Sequence, residues 1–190
     1  MADLKELLES SGAVLKGHFV LTSGRHSDTY FEKFRVLERP DVLSALCYEI
    51  AEAFKDEQID LVAGPTTGGI IIAFEVARQM GLPAIYVESE NGLKTLRRGA
   101  SIAPGSKVLV VDDVLTTGRS IFEVEEVIRA NGGKMAGVGV LISRAEKPVE
   151  FGAKTHAAYN VSATSYLEED IPEELKSIPI SKPGTRAATV

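Results

Sequence analysis

Apolar positions along the chain switch between short continuous runs and stretches spaced at helical intervals, the pattern of strands and helices taking turns. Val108, Leu109, Val110 and Val111 are mostly β-branched, show no alternation and are too few for a typical helix. They predict a strand covered on both faces in a parallel sheet. Residues 59–63, 84–87, 135–142 and 157–163 read as further strands. Between them, Leu43, Leu46, Cys47, Ile50, Ala51 and Phe54 recur at helical spacing behind Pro40, which suits a first-turn position. Residues 70–80 form a second helix that stops at Gly81. Phe122, Val127 and Ile128 carry the buried face of a third, which Ser120 and Glu123 open as a capping box and Asn131, Gly132 and Gly133 close. Strands joined by helices need crossover connections, hence parallel pairing. The expected class is therefore α/β: a mostly parallel sheet flanked by helices in a single domain over 1–190.

The beginning of the chain departs from that alternation. Leu4, Leu7 and Leu8 share one face of a short amphipathic helix that ends at Ser11 and Gly12. Phe19 and Leu21 then alternate with Val20 and Thr22, Ser23 and Gly24 make a turn, and Tyr30 and Phe31 begin another extended run. A hairpin over residues of about 17–35, outside the βαβ pattern, is expected as a small N-terminal hood. Arg25, His26, Tyr30, Phe31 and Lys33 offer it aromatic faces and cationic donors suited to an anionic heteroaromatic ring.

Composition narrows the function classes. The 190 residues are 44% hydrophobic and 25% charged, ordinary for a globular chain, and the net charge is −6. Such an acidic chain, with a pI near 5.2, is a poor general binder of nucleic acid or anionic membrane, so any anion site has to be a local pocket. No stretch approaches the roughly 20 apolar residues of a membrane span. The lone Cys47 excludes an intrachain disulfide and sits on a buried helical stripe, where it reads as a core residue. With no export signal apparent, a cytoplasmic enzyme is expected.

The chemistry concentrates where the 108–111 strand ends. Asp112 and Asp113 are followed by Thr116, Thr117, Gly118, Arg119 and Ser120, and then by a helix. Backbone N–H groups at a helix N-terminus, kept accessible by glycine and supplemented by hydroxyls, form a cradle for a phosphate monoester. The two carboxylates are acceptors, suited to a neutral polyol such as a ribose whose 5′-phosphate reaches the cradle. No Gly-Lys-Ser/Thr follows the glycine, so this is not a Walker loop. A second strand ends in Gly64, Pro65, Thr66, Thr67, Gly68 and Gly69, again between a strand and a helix. Lys94, Arg97 and Arg98 form the clearest cationic cluster, in a polar segment expected to be a mobile hairpin over 88–99 that closes on a polyphosphate. His156 reads as structural.

The run VLVVDDVLTTGRS closely resembles the phosphoribosyl pyrophosphate (PRPP) signature of type I phosphoribosyltransferases. FVLTSGRHSDTYF is similar to the N-terminal segment of the orotate phosphoribosyltransferases. The resemblance covers nearly the whole chain and implies the type I phosphoribosyltransferase fold and transfer of the 5-phosphoribosyl group from PRPP to orotate, as in UMP biosynthesis. PRPP would be held by Asp112, Asp113, Val114, Leu115, Thr116, Thr117, Gly118, Arg119 and Ser120, with Thr66, Thr67 and Gly68 as the pyrophosphate loop. Orotate would meet Ser23, Gly24, Arg25, Tyr30, Phe31, Thr116 and Arg144. Catalysis would rest on Lys94, Arg97, Arg98, Asp112 and Asp113. Mg²⁺ would be required, carried by PRPP near Asp112 and Asp113 and not ligated directly by side chains. Related enzymes are homodimers with shared active sites, and neither nucleic acid nor membrane is an expected partner.

Three departures stand out. Many members carry a lysine where this chain has Thr22, and many end the strand before the mobile loop in Arg-Lys and carry a loop histidine, where this chain has Glu88 and Ser89 and no histidine. The pattern ESENGLKTLRRG resembles a shorter-loop branch, with Arg97 and Arg98 as the replacement cations. The ending KPGTR is also similar to that branch. A purine phosphoribosyltransferase, which would share the central motif, and a non-catalytic PRPP-sensing regulator remain the alternatives.

Overall fold

A computed structural model of the chain describes residues 4–21, 23–90, 92–145, 147–161 and 164–181. Thr22, the Asn91 of the expected turn, the end of the expected 157–163 strand and the KPGTR tail lie outside the described residues. In chain order the elements are α1 (Leu4–Ser10), β1 (Val14–Val20), β2 (His26–Phe31), α2 (Phe34–Leu37), α3 (Pro40–Phe54), β3 (Leu61–Pro65), α4 (Gly68–Met80), β4 (Ala84–Glu90), β5 (Leu93–Thr95), β6 (Lys107–Leu115), α5 (Arg119–Ala130), β7 (Lys134–Ser143), β8 (Lys154–Asn160), β9 (Ser165–Tyr166), α6 (Glu173–Lys176) and β10 (Ile180–Ser181). They divide into two compact units, Leu43–Val161 and the two chain ends Met1–Val42 with Ser162–Val190. Among the described residues no helix is long and apolar enough to cross a membrane.

The larger unit is a six-stranded sheet in the order β5-β4-β3-β6-β7-β8. Its pairs are parallel except for β4 with β5, a hairpin in which Glu88 faces Thr95 and Glu90 faces Leu93. β6 is central and its Val108, Leu109, Val110 and Val111 are fully buried, as a strand covered on both faces requires. Val108 and Val110 pack with Ile121, Val124, Val127 and Ile128 of α5 in one apolar cluster. On the other face Val111 lies close to Ile50 of α3 where β7 has Gly139. A side chain on Gly139 would run into Ile50, and one on Gly137 into the Phe54 ring. Two glycines in β7 thus let α3 settle on the sheet. Ile50 and Phe54 are fully buried there, each contributing on the order of 1.5–3 kcal/mol. Cys47 lies on the same stripe, and burial pushes its thiol well above the ordinary range, so it is a core residue and no nucleophile.

Several expected boundaries shift. β3 begins at Leu61 and runs through Pro65, two residues later than the periodicity predicts at each end, and α4 starts at Gly68. β6 runs four residues past the apolar core to Leu115, so Asp112 and Asp113 are inside a strand and not beyond it. Phe122 is 39% exposed, against the expected burial. The inward face of α5 falls instead on Ile121, Val124, Val127 and Ile128, one residue back along the turn, and Phe122 stacks on Phe151 with ring centroids 4.9 Å apart. His156 sits in mid-strand opposite Gly139, where burial holds its imidazole below the ordinary value.

The smaller unit carries the expected hairpin, β1 against β2, and extends it. β10 joins β1 in parallel and β9 joins β2 antiparallel, giving a four-stranded sheet that both chain ends build. His26, expected among the cationic donors of the hood, is instead buried, with its Nδ1 2.7 Å from the Nε2 of His18, whose Nδ1 lies 3.1 Å from the carbonyl of Ile178. Burial of this chain of polar groups is possible because each finds a partner.

Within the larger unit α3 and α4 are joined by polar contacts at their solvent edge. The Ser44 hydroxyl donates to Glu75 at 2.7 Å, Gln79 donates to Glu75 at 2.7 Å and to the Ser44 carbonyl at 3.0 Å, and Arg78 forks onto both Glu75 oxygens at 2.8 Å. The Arg78 guanidinium, helped by the Gln79 and Ser44 donors, holds the Glu75 carboxyl down at about 2. A carboxylate with a depressed folded-state value contributes stability above its unfolded value of 4.5, and that contribution is lost as the pH falls toward 2. Glu75→Gln is expected to cost roughly 1–2 kcal/mol at neutral pH. Thermal melts should show a gap from the parent protein at pH 7 that narrows steadily below about pH 4.5.

Candidate active site

The strand order places β3 and β6 side by side, while the chain leaves β3 through α4 to β4 on one side and leaves β6 through α5 to β7 on the other. The loops at the carboxyl ends of β3 and β6 therefore diverge and leave a crevice between them, the place where open α/β sheets bind ligands. Both sequence-predicted cradles lie at this point. In the first, Gly64 and Gly69 approach so closely that a side chain on Gly64 would overlap the Gly69 carbonyl, and the chain enters α4 directly behind Thr66 and Thr67. The Thr66–Thr67 peptide is cis. The Thr66 N–H is held by the Val87 carbonyl of β4 at 3.0 Å, which anchors the loop to the neighbouring strand.

The second cradle follows β6. Gly118 takes a left-handed conformation (φ 76°) and α5 begins at Arg119. A start at Arg119 puts Ser120 inside the first turn, so the expected capping box does not form: neither Gly118 nor Thr67 caps its helix with a side chain, and Glu123 pairs with Arg119 at 2.8 Å. The Ser120 hydroxyl donates to Asp112 Oδ2 at 2.5 Å, and the Asp113 N–H donates to Asp112 Oδ1 at 2.8 Å. Both Asp112 oxygens are thereby oriented from within the loop. At 6% and 9% exposure Asp112 and Asp113 are nearly as buried as the core, which fits groups meant for a ligand or for each other's support and not for water.

A cleft of about 390 Å³ opens over this loop. Residues 114–120 and Glu123 line one side, and Ser89, Gly92 and Lys94 of the β4–β5 hairpin line the other. Val114, Leu115, Thr116, Thr117, Gly118, Arg119, Ser120 and Lys94 are thus brought together as the sequence predicts, while Ser89, Gly92 and Glu123, read in the sequence only as hairpin and capping residues, join them. Arg97 and Arg98 are turned elsewhere. Arg98 Nε donates to Glu88 at 2.9 Å, and Arg97 lies 3.7 Å from Glu88 and 3.6 Å from Glu90. Arg144 follows β7, and its N–H donates to the Leu115 carbonyl at 2.8 Å, so it leaves the sheet beside the end of β6.

Of the expected base-binding residues, Thr116 and Arg144 belong to the larger unit and the other five to the smaller one. Ser23 and Gly24 form the turn between β1 and β2, with the Gly24 N–H donating to the Leu21 carbonyl at 2.9 Å. The Arg25 guanidinium reaches β9, donating to the Ser165 hydroxyl and carbonyl at 2.7 Å each. Tyr30 packs on Phe19 with ring centroids 5.5 Å apart, and Phe31 is buried. Arg25 and Phe31 therefore have structural work within this sheet whatever else they touch.

Two residues outside every motif shape the second cradle. A Cβ on Gly118 would come within 2.7 Å of the Phe151 ring and 2.9 Å of Val149, so these side chains back the loop and leave room only for glycine. The isolated apolar pair in EKPVEFGAK is the only trace of this in the sequence. Gly118→Ala carries both a left-handed backbone penalty of about 1 kcal/mol and an overpacking cost of about 1–3 kcal/mol. The expected outcome is a variant destabilised by roughly 2–4 kcal/mol, read as a lowered melting temperature.

The phosphoribosyl transferase domain profile matches residues 37–162, close to the bounds of the larger unit. An orotate phosphoribosyltransferase of Pelotomaculum thermopropionicum is 47% identical over 97% of this chain and 97% of its own length. That of Desulforamulus reducens is 42% identical over 98% of both. The crystal structure of orotate phosphoribosyltransferase from Aeropyrum pernix superimposes with a TM-score of 0.73 at 30% identity, covering 84% of this chain and 94% of that one. With the signature loop seated at the switch point of the sheet and these similarities along nearly its whole length, the chain belongs to the phosphoribosyltransferase family, among the orotate phosphoribosyltransferases.

Proposed function

We propose that this chain transfers the 5-phosphoribosyl group of PRPP to N1 of orotate, releasing pyrophosphate and giving orotidine 5′-monophosphate. The observation that carries the reading is the pairing of two glycine-bearing helix N-termini with a buried, internally braced Asp112 and Asp113 at one switch point, in a chain 47% identical to a named orotate enzyme. Residues 114–120 hold the 5′-phosphate through backbone donors and threonine hydroxyls, Asp112 and Asp113 accept from the ribose hydroxyls, and Thr66, Thr67 and Gly68 hold the pyrophosphate. Thr116, Arg144, the turn residues Ser23 and Gly24, and Arg25, Tyr30 and Phe31 recognise the pyrimidine and its carboxylate. Residues 1–190 are read as a single phosphoribosyltransferase domain, in a cytoplasmic homodimer whose partners are PRPP and orotate.

As the bond from ribose C1 to the pyrophosphate oxygen breaks, positive charge develops on the ring and negative charge on the leaving group, so catalysis is positioning and charge stabilisation without a covalent nucleophile. Asp112, oriented by Ser120 and by the Asp113 N–H, keeps the ribose in register. Lys94, Arg97 and Arg98 neutralise the departing pyrophosphate once water is excluded. The donor set suits a substrate-borne divalent metal: the adjacent carboxylates of Asp112 and Asp113 fit an Mg²⁺ ion that is carried by PRPP and keeps several of its waters. When bound, Mg²⁺ supplies charge neutralisation at the pyrophosphate and ribose oxygens.

The direct test is loss of orotate absorbance in the presence of PRPP and Mg²⁺. Asp112→Asn with Asp113→Asn is expected to abolish this turnover, by about a thousandfold or more, in a protein that still melts cooperatively. A folded double variant with near-parental turnover overturns the ribose assignment. The dimer makes a separate prediction. A chain carrying Arg97→Ala and Arg98→Ala, mixed under subunit exchange with a chain carrying the Asp112 and Asp113 changes, regains part of the activity if the hairpin serves the neighbouring site. No recovery after verified exchange means that each hairpin serves its own chain.

A further inference from the structure

Glu88 occupies an unexpected place for an acid. It is the residue after Val87, whose carbonyl holds Thr66 of the first cradle, and its side chain is only 15% exposed. There it binds both loop guanidiniums, Arg98 at 2.9 Å and Arg97 at 3.7 Å, and Glu90 gives Arg97 a second carboxylate at 3.6 Å. Two arginines and two glutamates thus neutralise one another at the base of the hairpin. Arg98 also adopts the left-handed conformation (φ 57°), which a residue with a side chain holds only when its surroundings require it.

We propose that Glu88 is a positioning residue that competes with pyrophosphate for Arg97 and Arg98: it holds both guanidiniums between turnovers and takes them back as the product leaves. The idea rests on the reading of this loop as pyrophosphate-binding. Its physical basis is that carboxylate and phosphate oxygens use the same guanidinium donors, so the arginines cannot serve both fully. Glu88 engages Arg98 closely at 2.9 Å but Arg97 only loosely, at 3.7 Å with Glu90 at 3.6 Å, whereas pyrophosphate offers charged oxygens enough to engage both. The arginines are 45% and 71% exposed, so the exchange needs no unfolding of the hairpin, and solvent keeps the resting pairs weak enough to yield. Because Glu88 is tethered beside them, it rebinds without diffusing, which shortens the life of the product complex.

Calorimetric titration with inorganic pyrophosphate tests this without requiring turnover, in the parent protein, in Glu88→Gln, in Arg97→Ala/Arg98→Ala and in all three changes together. Glu88→Gln is expected to bind pyrophosphate roughly fivefold more tightly, the competition that an exposed ion pair can offer. The same change made on the arginine-free background should have no effect. Equal or weaker binding in Glu88→Gln overturns the proposal, and so does a tightening that persists without the arginines, since that would be a long-range charge effect. If Glu88→Gln fails to fold, Glu88→Asp, whose shorter side chain no longer spans both arginines, makes the same comparison with a smaller tightening. Orotate turnover measured on the parent protein separates failure of this idea from failure of the proposed reaction.

Discussion

The organising constraint is that two helix N-termini have to open onto one crevice, which the adjacency of β3 and β6 and the opposite exits of their helices bring about. Everything near the crevice serves to make that approach tight. Gly64 and Gly69 touch backbone to backbone, Gly118 turns left-handed against Phe151, and Gly137 and Gly139 let α3 sink onto the sheet behind the site. Each glycine is a place where a side chain would separate elements that the site needs close. Anion binding by backbone donors depends on this closeness, because the partial charge at a helix N-terminus falls off within its first turn.

A chain with a net charge of −6 that binds a polyanion faces an electrostatic conflict, and the structure resolves it locally. On the proposed reading, donors at the two cradles are mainly backbone groups, which carry no net charge and need no counter-ion. The acids nearest the phosphate cradle are restrained: Asp112 is tied to Ser120 and to the Asp113 N–H, and Glu123 is paired with Arg119. Lys94 faces the same cleft, while Arg97 and Arg98 are held by glutamates at the hairpin base. On the proposed reading, pyrophosphate has to displace these glutamates to recruit the two arginines.

Much of this was legible in one dimension. The β-branched run at 108–111, the helical stripe from Leu43 to Phe54 and the two glycine-threonine loops identify a parallel sheet and both cradles, because local periodicity and turn chemistry are written residue by residue. Boundaries were less secure. β6 extends to Leu115 because Val114 and Leu115 pair with Ile142 and Ser143 of β7, partners about 28 positions away that no local pattern reports. The β9 and β10 strands are two residues long, too short to carry a period, and exist only because β1 and β2 offer them edges.

The side-chain partnerships were decided by tertiary structure alone. The spacing of Ser120 and Glu123 satisfies a capping box, yet the left-handed Gly118 shifts the helix start and hands Ser120 to Asp112. His26 has the composition of a surface donor, but it is drawn inward by His18, eight residues away across the hairpin. Phe122 fits a helical stripe in sequence and is displaced from it by the rotation that Ile121 and Val124 impose on α5. Residue type and spacing determine which elements form and what chemistry they can offer. Which donor meets which acceptor depends on chain segments brought together from far apart, and that information exists only once the sheet has closed its register.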